Sequence, residues 1–196
     1  MLSMPLKGDK KFDETEVLER AMTLFWKQGY EATGTAQLIR EMGIGRQSVY
    51  DTFGSKRDLF LRALRHYAQT NGRLLTSELE GGGNPVERLN RQFKVWGTFA
   101  LHHEEGCLMV NTLAELASHD DEVQKILSDH NSGIEIRLRD TLLDAKAAGD
   151  LSEDLHARQT ARALVALLSG LFLLSKSNPS AEIIDDVVTS AAAMVQ

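Results

Sequence analysis

The stretch of sequence that decides the fold runs from residue 35 to residue 56 and reads TAQLIREMGIGRQSVYDTFGSK. The apolar residues of its first part have the spacing of one face of a helix: Leu38, Ile39 and Met42. Gly43-Ile44-Gly45 then interrupts the pattern where a tight turn is needed. A second short helix is predicted from Arg46 to Thr52, ending near the next glycine. The stretch therefore predicts two short helices joined by a glycine turn.

Amphipathic helices are predicted on both sides of this pair. Asp13 to Gly29 carries apolar residues at helical spacing, and Glu16 completes a capping box at its start. We expect Thr33 or Thr35 to cap the next helix, and Ser55 to cap the fourth. Helices of about seven residues are unstable alone, so the short pair must pack against the first helix. The resulting unit is a helix-turn-helix.

The rest of the chain also favours helices, because only three of its 196 residues are proline and helix formers dominate. The predicted fold class is all-α. We place a domain boundary after residue 54, so that residues 1–54 hold an N-terminal tail and the helix-turn-helix, and residues 55–196 form a second helical domain. The predicted helices of the second domain run from Ser55 to about Glu80, Val86 to His103, Cys107 to Ala117, Asp121 to Ala148, His156 to Ser175 and Ala181 to Val195.

The charge is divided unevenly along the chain. The net charge of −6 argues by itself against a nucleic-acid binder. Residues 1–66 hold 11 Lys and Arg against 9 Asp and Glu, a balance of +2, whereas residues 67–196 hold 11 against 19, a balance of −8. The N-terminal third is therefore the part suited to phosphate.

Composition excludes several classes. The single cysteine, Cys107, excludes a disulfide scaffold. The longest apolar stretch, Ala163 to Leu174, covers 12 positions, short of the about 20 needed to span a bilayer, so we predict no membrane partner. The N-terminal residues lack the apolar core of a secretory signal, and we expect a cytoplasmic protein.

The second helix of a helix-turn-helix enters the major groove of DNA, so its outward side chains decide what it reads. Arg46 suits guanine and Gln47 suits adenine, because each makes paired bonds to those base edges. The residues predicted to face bases are Arg46, Gln47, Ser48 and Thr52. The residues predicted to contact phosphates are Thr33, Thr35, Tyr50 and Lys56. The alternative is a helical hairpin whose polar side chains are merely solvated.

Residues 17–64 resemble the DNA-binding domain of the TetR family of transcriptional regulators. The matching positions are Phe25, Gly29-Tyr30, Ala32-Thr33, Leu38-Ile39, Gly43-Ile44, Ser48-Val49-Tyr50, Phe53, Ser55-Lys56, Leu59 and Leu64. The resemblance implies an all-helical ligand-binding and dimerisation domain at 55–196 and a homodimer on a palindromic operator. It also implies release from DNA when a small-molecule effector binds. The four base-facing residues match the family's third helix, and Thr33, Tyr50 and Lys56 match its phosphate contacts.

Two sets of residues are expected to serve the second domain. An effector pocket needs apolar walls with a few polar anchors, and the candidates are Phe93, Trp96, Phe99, Met109, Asn111, Leu113 and Leu116. At helical spacing these residues also suit an ordinary core. The family resemblance places the dimer interface on the last two helices, with candidates Leu167, Gly170, Leu171, Leu174, Ile184 and Val188. The alternative for these helices is a core within one subunit.

The segment Gly106-Cys107-Leu108 resembles one found in a branch of TetR-type regulators, in some of which this cysteine senses electrophiles or oxidants. A cysteine near a helix N-terminus can have a lowered pKa, so a sensor role for Cys107 is a hypothesis beside that of a small core residue. His102-His103-Glu104-Glu105 precedes it, but neighbouring residues point to different sides of a helix, so no metal site is predicted.

The predicted function is therefore a ligand-responsive transcriptional regulator, a repressor by family resemblance, and not an enzyme. It needs no cofactor, and its partners are double-stranded DNA, a second copy of the chain and an unknown small molecule. A different class is an all-α enzyme or small-molecule-binding protein whose N-terminal helices do not bind DNA. No order of catalytic residues, metal-ligand spacing or phosphate-binding loop supports catalysis. A helical adaptor would leave Arg46 and Gln47 without a role.

Overall fold

The protein is described by a computed structural model, which covers residues 12–196. That part of the chain contains ten α-helices and no β-strand, which confirms the all-α prediction. The helices are Glu14–Gln28 (α1), Thr35–Met42 (α2), Arg46–Phe53 (α3), Lys56–Gln69 (α4), Asn71–Leu74 (α5), Pro85–His102 (α6), Leu108–Leu116 (α7), Asp121–Ala147 (α8), Ala157–Leu174 (α9) and Ala181–Ala193 (α10). A short 3₁₀ turn, Ser175–Ser177, follows α9.

The chain divides into two compact units after Ala63, a position inside α4. The boundary predicted after residue 54 lies earlier. The first half of α4 belongs to the N-terminal unit because Phe60 packs edge to face against Phe25 of α1, with ring centroids 5.0 Å apart. Leu59 is buried as well. The N-terminal unit therefore needs part of α4 to complete its core.

Helix caps in the N-terminal unit follow the sequence in two cases out of three. The Asp13 carboxylate accepts hydrogen bonds from the amides of Thr15 and Glu16, at 2.7 and 3.3 Å, and begins α1. At the start of α4, the Ser55 hydroxyl accepts from the Asp58 amide while the Asp58 carboxylate accepts from the Ser55 amide, at 3.1 and 2.9 Å. These bonds satisfy amides that no helix turn reaches.

The cap of α2 differs from the prediction. The helix begins after Gly34, which has no side chain to offer, so neither Thr33 nor Thr35 is the cap. Thr33 turns inward, and its hydroxyl donates to the carbonyl of Gly29 at 2.6 Å. The polar group of Thr33 is therefore used to close the turn between α1 and α2.

The turn between α2 and α3 depends on Gly43. Its φ of +70° lies in the left-handed region that glycine adopts without strain. The guanidinium of Arg20 donates to the neighbouring Met42 carbonyl at 3.3 Å, and a Cβ on residue 43 would lie 3.0 Å from that guanidinium. Helix α1 therefore holds this turn directly.

In the C-terminal unit, α4 ends at Gln69, and the prediction that it continues to about Glu80 is wrong. The one-turn helix α5 and a series of turns follow. Their backbone groups bond to α6: the buried Gln92 amide accepts from the Glu78 amide and donates to the Leu74 carbonyl, at 2.9 and 3.0 Å. The Trp96 indole donates to the Leu75 carbonyl at 3.0 Å. Side chains distant in sequence thus stabilise the irregular segment.

The core of the C-terminal unit lies between α6, α8, α9 and α10. Its buried residues include Leu89 and Phe93 of α6, Leu138 and Leu142 of α8, Leu164 and Phe172 of α9, and Ile184 of α10. Gly97 allows α6 and α10 to approach closely, since a Cβ there would lie 2.8 Å from a methyl of Val188. The predicted limits of α6 to α10 agree with the structure to within two residues.

Candidate nucleic-acid interface and ligand cavities

Helix α3 packs against the rest of the N-terminal unit through its apolar side, and its polar side faces outward. Val49 and Phe53 are buried in the N-terminal unit. Among the predicted base-facing residues, Arg46 and Gln47 are exposed, and Ser48 and Thr52 are half-buried. All four lie on one helix, and the two with the longest reach stand at its N-terminal end. That arrangement is the one required of a helix that reads base edges.

Asp51 is an exposed acid on the same helix, and the sequence analysis did not assign it a role. Its carboxylate accepts a hydrogen bond from the Gln47 side-chain amide at 2.8 Å. The spacing of four residues between glutamine and aspartate is the signal that predicts such a pair. The bond orients the Gln47 amide and places a negative charge among the side chains that are predicted to face bases.

The residues predicted to contact phosphates differ in exposure and in the groups that they contact. Tyr50 is 42% exposed, and Thr35 is half-buried at the first position of α2. Lys56 is half-buried with its ammonium 4.3 Å from the centre of the Tyr30 ring, a cation–π contact that holds the lysine near the surface of the unit. Thr33 is 0% exposed and its hydroxyl is already bonded, so the prediction that Thr33 contacts phosphate is wrong for its side chain.

Arg62 of α4 ties the C-terminal end of α3 to the rest of the N-terminal unit, a role that the sequence did not indicate. Its guanidinium donates to the Thr52 carbonyl at 2.8 Å and lies 4.6 Å from the centre of the Phe53 ring. The same group pairs with Glu14 of α1 at 3.3 Å. One arginine thus joins α1, α3 and α4, so that α3 is held as part of a rigid unit.

The predicted effector-pocket residues do not line a single cavity. The side chains of Phe93, Trp96 and Phe99 are buried in the core, and that of Leu116 is buried as well. Asn111 is half-buried and fully engaged: its amide donates to the Glu105 carbonyl at 2.8 Å and accepts from the Lys176 ammonium at 2.9 Å. The aromatic residues are therefore ordinary core, the alternative that their helical spacing left open.

Two of the predicted residues, Met109 and Leu113, border a partly enclosed space of about 20 Å³ that we call the inner cavity. Its wall also includes Cys107, His130, Ile134, Leu168 and Phe172. A larger opening of about 650 Å³ lies on the other side of His130. We call it the α5–α8 groove, and it is lined by Ala68, Gln69, Gly72, Arg73, Thr76, Ser77, Glu80, Asp129, His130, Gly133, Ile134 and Arg137. The structure therefore provides a small apolar space beside a larger polar one.

Cys107 is the N-cap residue of α7, as its position in the sequence suggested, but it is only 2% exposed. The Tyr67 hydroxyl donates a weak hydrogen bond to its sulfur at 3.6 Å. Burial raises the pKa of the Cys107 thiol above its ordinary value, although hydrogen bonds from the start of α7 and from Tyr67 oppose this effect. The expectation of a lowered pKa is therefore wrong, because removal from water outweighs the helix N-terminus.

The histidines before Cys107 bond to their own helix. His102 Nδ1 lies 2.8 Å from the Thr98 carbonyl, and His103 Nδ1 lies 2.9 Å from the Phe99 carbonyl. The His103 ring also stacks on Phe99, with centroids 4.0 Å apart. Across residues 12–196 no group of three or more His, Cys, Asp or Glu side chains is placed to hold a metal ion.

Two of the residues predicted for the dimer interface are buried inside the protomer. Leu171 is 2% exposed and Ile184 is 1% exposed, so that both belong to the core of the C-terminal unit and the prediction for them is wrong. Val188 is half-buried against Gly97. Leu167 and Leu174 are half-buried, and Gly170 is exposed.

A row of small and apolar residues remains exposed along α9: Ala163, Ala166, Gly170 and Leu173. These residues recur every three or four positions, so they form one continuous face, which we call the α9 stripe. Apolar residues thus occur on more than one face of α9. One face fills the core of the protomer, and the other faces outward.

The segment Ala157–Ser177 is long and apolar enough, by length and composition, to cross a membrane. An 18-residue window of this segment has a mean hydropathy of 1.3, and a third of that window is buried within the chain. The segment is longer than the apolar stretch Ala163 to Leu174 because it includes polar residues at both ends. A helix with one face in a core and another in a protein interface has the same composition.

Comparison with protein families gives matches to both units. The family of bacterial regulatory proteins described as the tetR family matches residues 17–63. The tetracyclin repressor-like C-terminal domain matches residues 85–191. The first match contains most of α1, all of α2 and α3 and the first half of α4, and the second runs from α6 into α10.

Similar proteins include two from bacteria with curated descriptions. The uncharacterized HTH-type transcriptional regulator YezE of Bacillus subtilis is 33% identical over 184 residues, which are 92% of this chain and 94% of YezE. The HTH-type transcriptional repressor ComR of Escherichia coli is 25% identical over 176 residues, 88% of this chain and 84% of ComR.

Among solved structures, the chain is similar to the TetR family transcriptional regulator CifR, determined as a cysteine mutant in complex with 26-bp double-strand operator DNA. The TM-score is 0.83 at 30% sequence identity, and the likeness covers 95% of this chain and 98% of that chain. The likeness thus includes both units.

Proposed function

The chain belongs to the TetR family of transcriptional regulators, and on that premise we propose that it is a repressor that binds a palindromic operator as a homodimer and leaves the DNA when a small molecule binds its C-terminal unit. The observation that carries the proposal is the orientation of α3, whose polar side chains face outward and whose apolar side chains are buried. Arg46 and Gln47 are exposed at its N-terminal end while Val49 and Phe53 fasten its other side. The description of ComR as a repressor and the operator complex of CifR support the same reading.

We assign direct base contacts to Arg46, Gln47, Ser48 and Thr52. Tyr50, Thr35 and Lys56 are assigned to the phosphates on the flanks, where they fix the register of the helix without reading sequence. The near-neutral charge of the N-terminal third means that one copy gains little from phosphate attraction alone. Two copies joined as a dimer bind two half-sites with the advantage of a high effective concentration.

The dimer is proposed to form through the outward faces of α9 and α10. The α9 stripe is apolar, and small residues at Ala163, Ala166 and Gly170 allow two helices to approach closely. Leu167 and Leu174 flank the stripe, and Ile183 exposes 46% of its surface on α10. An isologous interface, in which the same face of both copies meets, covers this surface in one step.

The chain is proposed to act in the cytoplasm, to need no cofactor and to catalyse no reaction. A chain that binds operator DNA must share a compartment with it. The rival function, a small-molecule-binding protein or enzyme without DNA binding, leaves the exposed donors of α3 unexplained.

A second route to DNA release is modification of Cys107 by an electrophile, as the resemblance of the Gly106-Cys107-Leu108 segment to one branch of the family implies. The observation that favours it is position: the sulfur borders the inner cavity and accepts a hydrogen bond from Tyr67. The buried thiol requires an apolar reagent that enters the cavity. Because Cys107 is the chain's single cysteine, any thiol adduct identifies the site.

N-ethylmaleimide tests this route. The thiolate adds to the ring double bond, forming one carbon–sulfur bond, and the neighbouring carbon takes up a proton. Release of operator by the reagent, with a single adduct in the mass spectrum and no release from Cys107→Ser, is expected. Equal release from both proteins excludes Cys107 as the sensor.

The experiment that tests the repressor function is a gel-shift titration with the DNA upstream of the chain's own gene, at low salt and without added ligand. We expect a discrete complex that random DNA competes poorly. Footprinting then locates two half-sites about one helical turn apart. Failure to shift any such fragment contradicts the proposed function.

A further inference from the structure

The inner cavity and the α5–α8 groove share two wall residues, His130 and Ile134. The inner cavity, about 20 Å³, has room for one water molecule. The groove, about 650 Å³, falls within the size range of small-molecule sites. It lies where α4 ends and α5 makes its single turn against α8. A small organic molecule is therefore accommodated by the groove, next to a smaller space with which the groove shares His130 and Ile134.

His130 is the polar member of that shared wall. Its imidazole packs against the backbone of Gly72, where a Cβ would lie 2.8 Å from the ring. Burial lowers the pKa of His130 to about 4, so the ring is neutral at pH 7. A neutral imidazole has one N–H donor and one acceptor, and within residues 12–196 neither ring nitrogen has a hydrogen-bond partner. Among residues 12–196 the buried side-chain nitrogen that has no hydrogen-bond partner is Arg88 Nε, so the nitrogens of His130 reach solvent and are free to bond to a ligand.

The acidic groups of the groove are neutralised by their own partners. Arg137 pairs with Glu80 at 2.6 Å, and Asp129 pairs with Lys125 at 2.7 Å. Arg73 of α5 is exposed and makes no ion pair with any residue among 12–196. The groove lining is formally neutral, with Arg73 and Arg137 against Glu80 and Asp129, and Arg73 is its one charged side chain without an ion pair among residues 12–196.

From this geometry we propose that the α5–α8 groove is a binding site for a small organic anion, a carboxylate with an apolar body, held by Arg73 and by the N–H of His130. The carboxylate suits an arginine, which donates two parallel hydrogen bonds to it. The apolar body lies along Ala68 and Ile134. The binding site itself does not depend on the proposed function. The role of this anion as the effector rests on the proposed function.

Calorimetric titration of the full chain at pH 7 with octanoate tests the site, with octanamide as an uncharged probe of the same chain length. We expect octanoate to bind and octanamide to bind about fivefold more weakly. Arg73→Gln is expected to weaken octanoate binding by about the same factor, and Arg73→Lys to retain most of it. His130→Leu removes the N–H donor and is expected to weaken octanoate binding as well.

The matched control is Arg158→Gln, which removes an exposed arginine of α9 outside the groove. It should leave octanoate binding unchanged. Equal affinity of Arg73→Gln and the unaltered chain overturns the proposal, and so does equal affinity for octanoate and octanamide. Absence of octanoate binding to the unaltered chain also overturns it. Circular dichroism of each variant shows that a loss of binding is not a loss of fold.

These titrations contain no DNA, so a failure of operator binding leaves their outcome unaffected. A second measurement adds octanoate to the operator complex. Release from the unaltered chain, but not from Arg73→Gln, supports the role of the anion as effector. Octanoate binding without release overturns that role and leaves both the site and the DNA-binding function standing.

Discussion

At the residue scale, Arg46 of α3 and Lys56 of α4, proposed to contact a base and a phosphate, differ in what their loss removes. Arg46 is exposed and offers a bidentate donor to guanine, whereas Lys56 offers a point charge that no base edge selects. Contacts to bases discriminate between sequences, and contacts to phosphates strengthen binding to all of them. Substitutions at these two residues should therefore change DNA binding in different ways, one in its sequence preference and the other in its overall affinity.

Arg46→Ala is expected to weaken operator binding by about 1–3 kcal/mol and to relax preference at one base position. Lys56→Ala is expected to weaken binding to operator and random DNA alike, and to lower the slope of log affinity against log salt by about one. Fluorescence anisotropy at several salt concentrations measures both quantities. Equal losses on operator and random DNA for Arg46→Ala would show that Arg46 contacts phosphate.

Asp51 gives a second prediction at this scale. A carboxylate accepts from the amino group of cytosine and repels phosphate, so Asp51→Asn should raise affinity for random DNA and reduce discrimination at one base pair by about 1–3 kcal/mol. Binding to operators with single base-pair replacements measures the discrimination. Glu41→Gln is the matched control, since it removes an exposed acid of α2 and should leave the sequence preference unaltered.

At the scale of the element, helices in this chain begin where a side chain can accept from free amides. The reciprocal bonds of Ser55 and Asp58 begin α4, the helix that belongs partly to each unit. Gly54, with a φ of +77°, precedes this cap, and a Cβ there would lie 2.7 Å from the Asp58 carboxylate. The sequence Gly-Ser-x-x-Asp is thus sufficient to predict where α4 starts.

Ser55→Ala is expected to lower the melting temperature by about 2–4 °C, because the Asp58 amide loses its acceptor and α4 frays. Thermal unfolding followed by circular dichroism measures this loss. Ser128→Ala, at an exposed position inside α8, is the control and should leave the melting temperature unchanged or slightly raised. An equal effect of both substitutions would contradict the capping role.

The same cap makes a prediction about pH. Hydrogen bonds from the Ser55 hydroxyl and amide hold the pKa of Asp58 below its ordinary value of 3.8. A carboxyl with a lowered pKa in the folded chain stabilises the fold above that ordinary value, and this contribution is lost as the pH falls through the folded pKa. The difference in melting temperature between the unaltered chain and Ser55→Ala should therefore become smaller from pH 7 to strongly acidic pH, while the part that comes from the Asp58 amide remains. A constant difference would contradict this linkage.

The end of an element is harder to infer than its start. Nothing between Gln69 and Glu80 is a proline, so the pattern allows α4 to continue. The helix ends because Gln92 and Trp96, more than ten residues further along the chain, bond to the backbone of the turns that replace it. Contacts of this kind outweigh local helix propensity.

At the scale of the whole molecule, the proposed dimer would cover the exposed apolar face of α9. Gly170 is the best position at which to test this interface, because a Cβ there meets no atom of its own protomer within 4 Å. A large side chain at this position is tolerated by the folded chain and obstructs a partner helix.

Gly170→Arg is expected to yield a folded monomer by sedimentation equilibrium, and its operator affinity should fall about 100-fold or more because the second half-site loses its effective concentration. Ala147→Arg, at an exposed position at the end of α8, is the control and should remain dimeric. A dimeric Gly170→Arg with unaltered operator affinity would place the interface elsewhere.

Local sequence determined much of this protein. Helical periodicity, glycine turns and capping residues predicted nine of the ten helices that the structure describes, with a wrong end for α4, and also the outward residues of α3 that we assign to bases. These features depend on side chains within a few positions of one another, so a pattern of local spacing contains the information.

Tertiary structure alone decided which polar and apolar groups are buried. Thr33 turns inward, Leu171 and Ile184 belong to the core, and the pKa of Cys107 is raised by residues from other helices. The α5–α8 groove likewise depends on where α4 ends. Burial is set by neighbours that are distant in sequence, and the free energy of removing a group from water depends on those neighbours rather than on the residue itself.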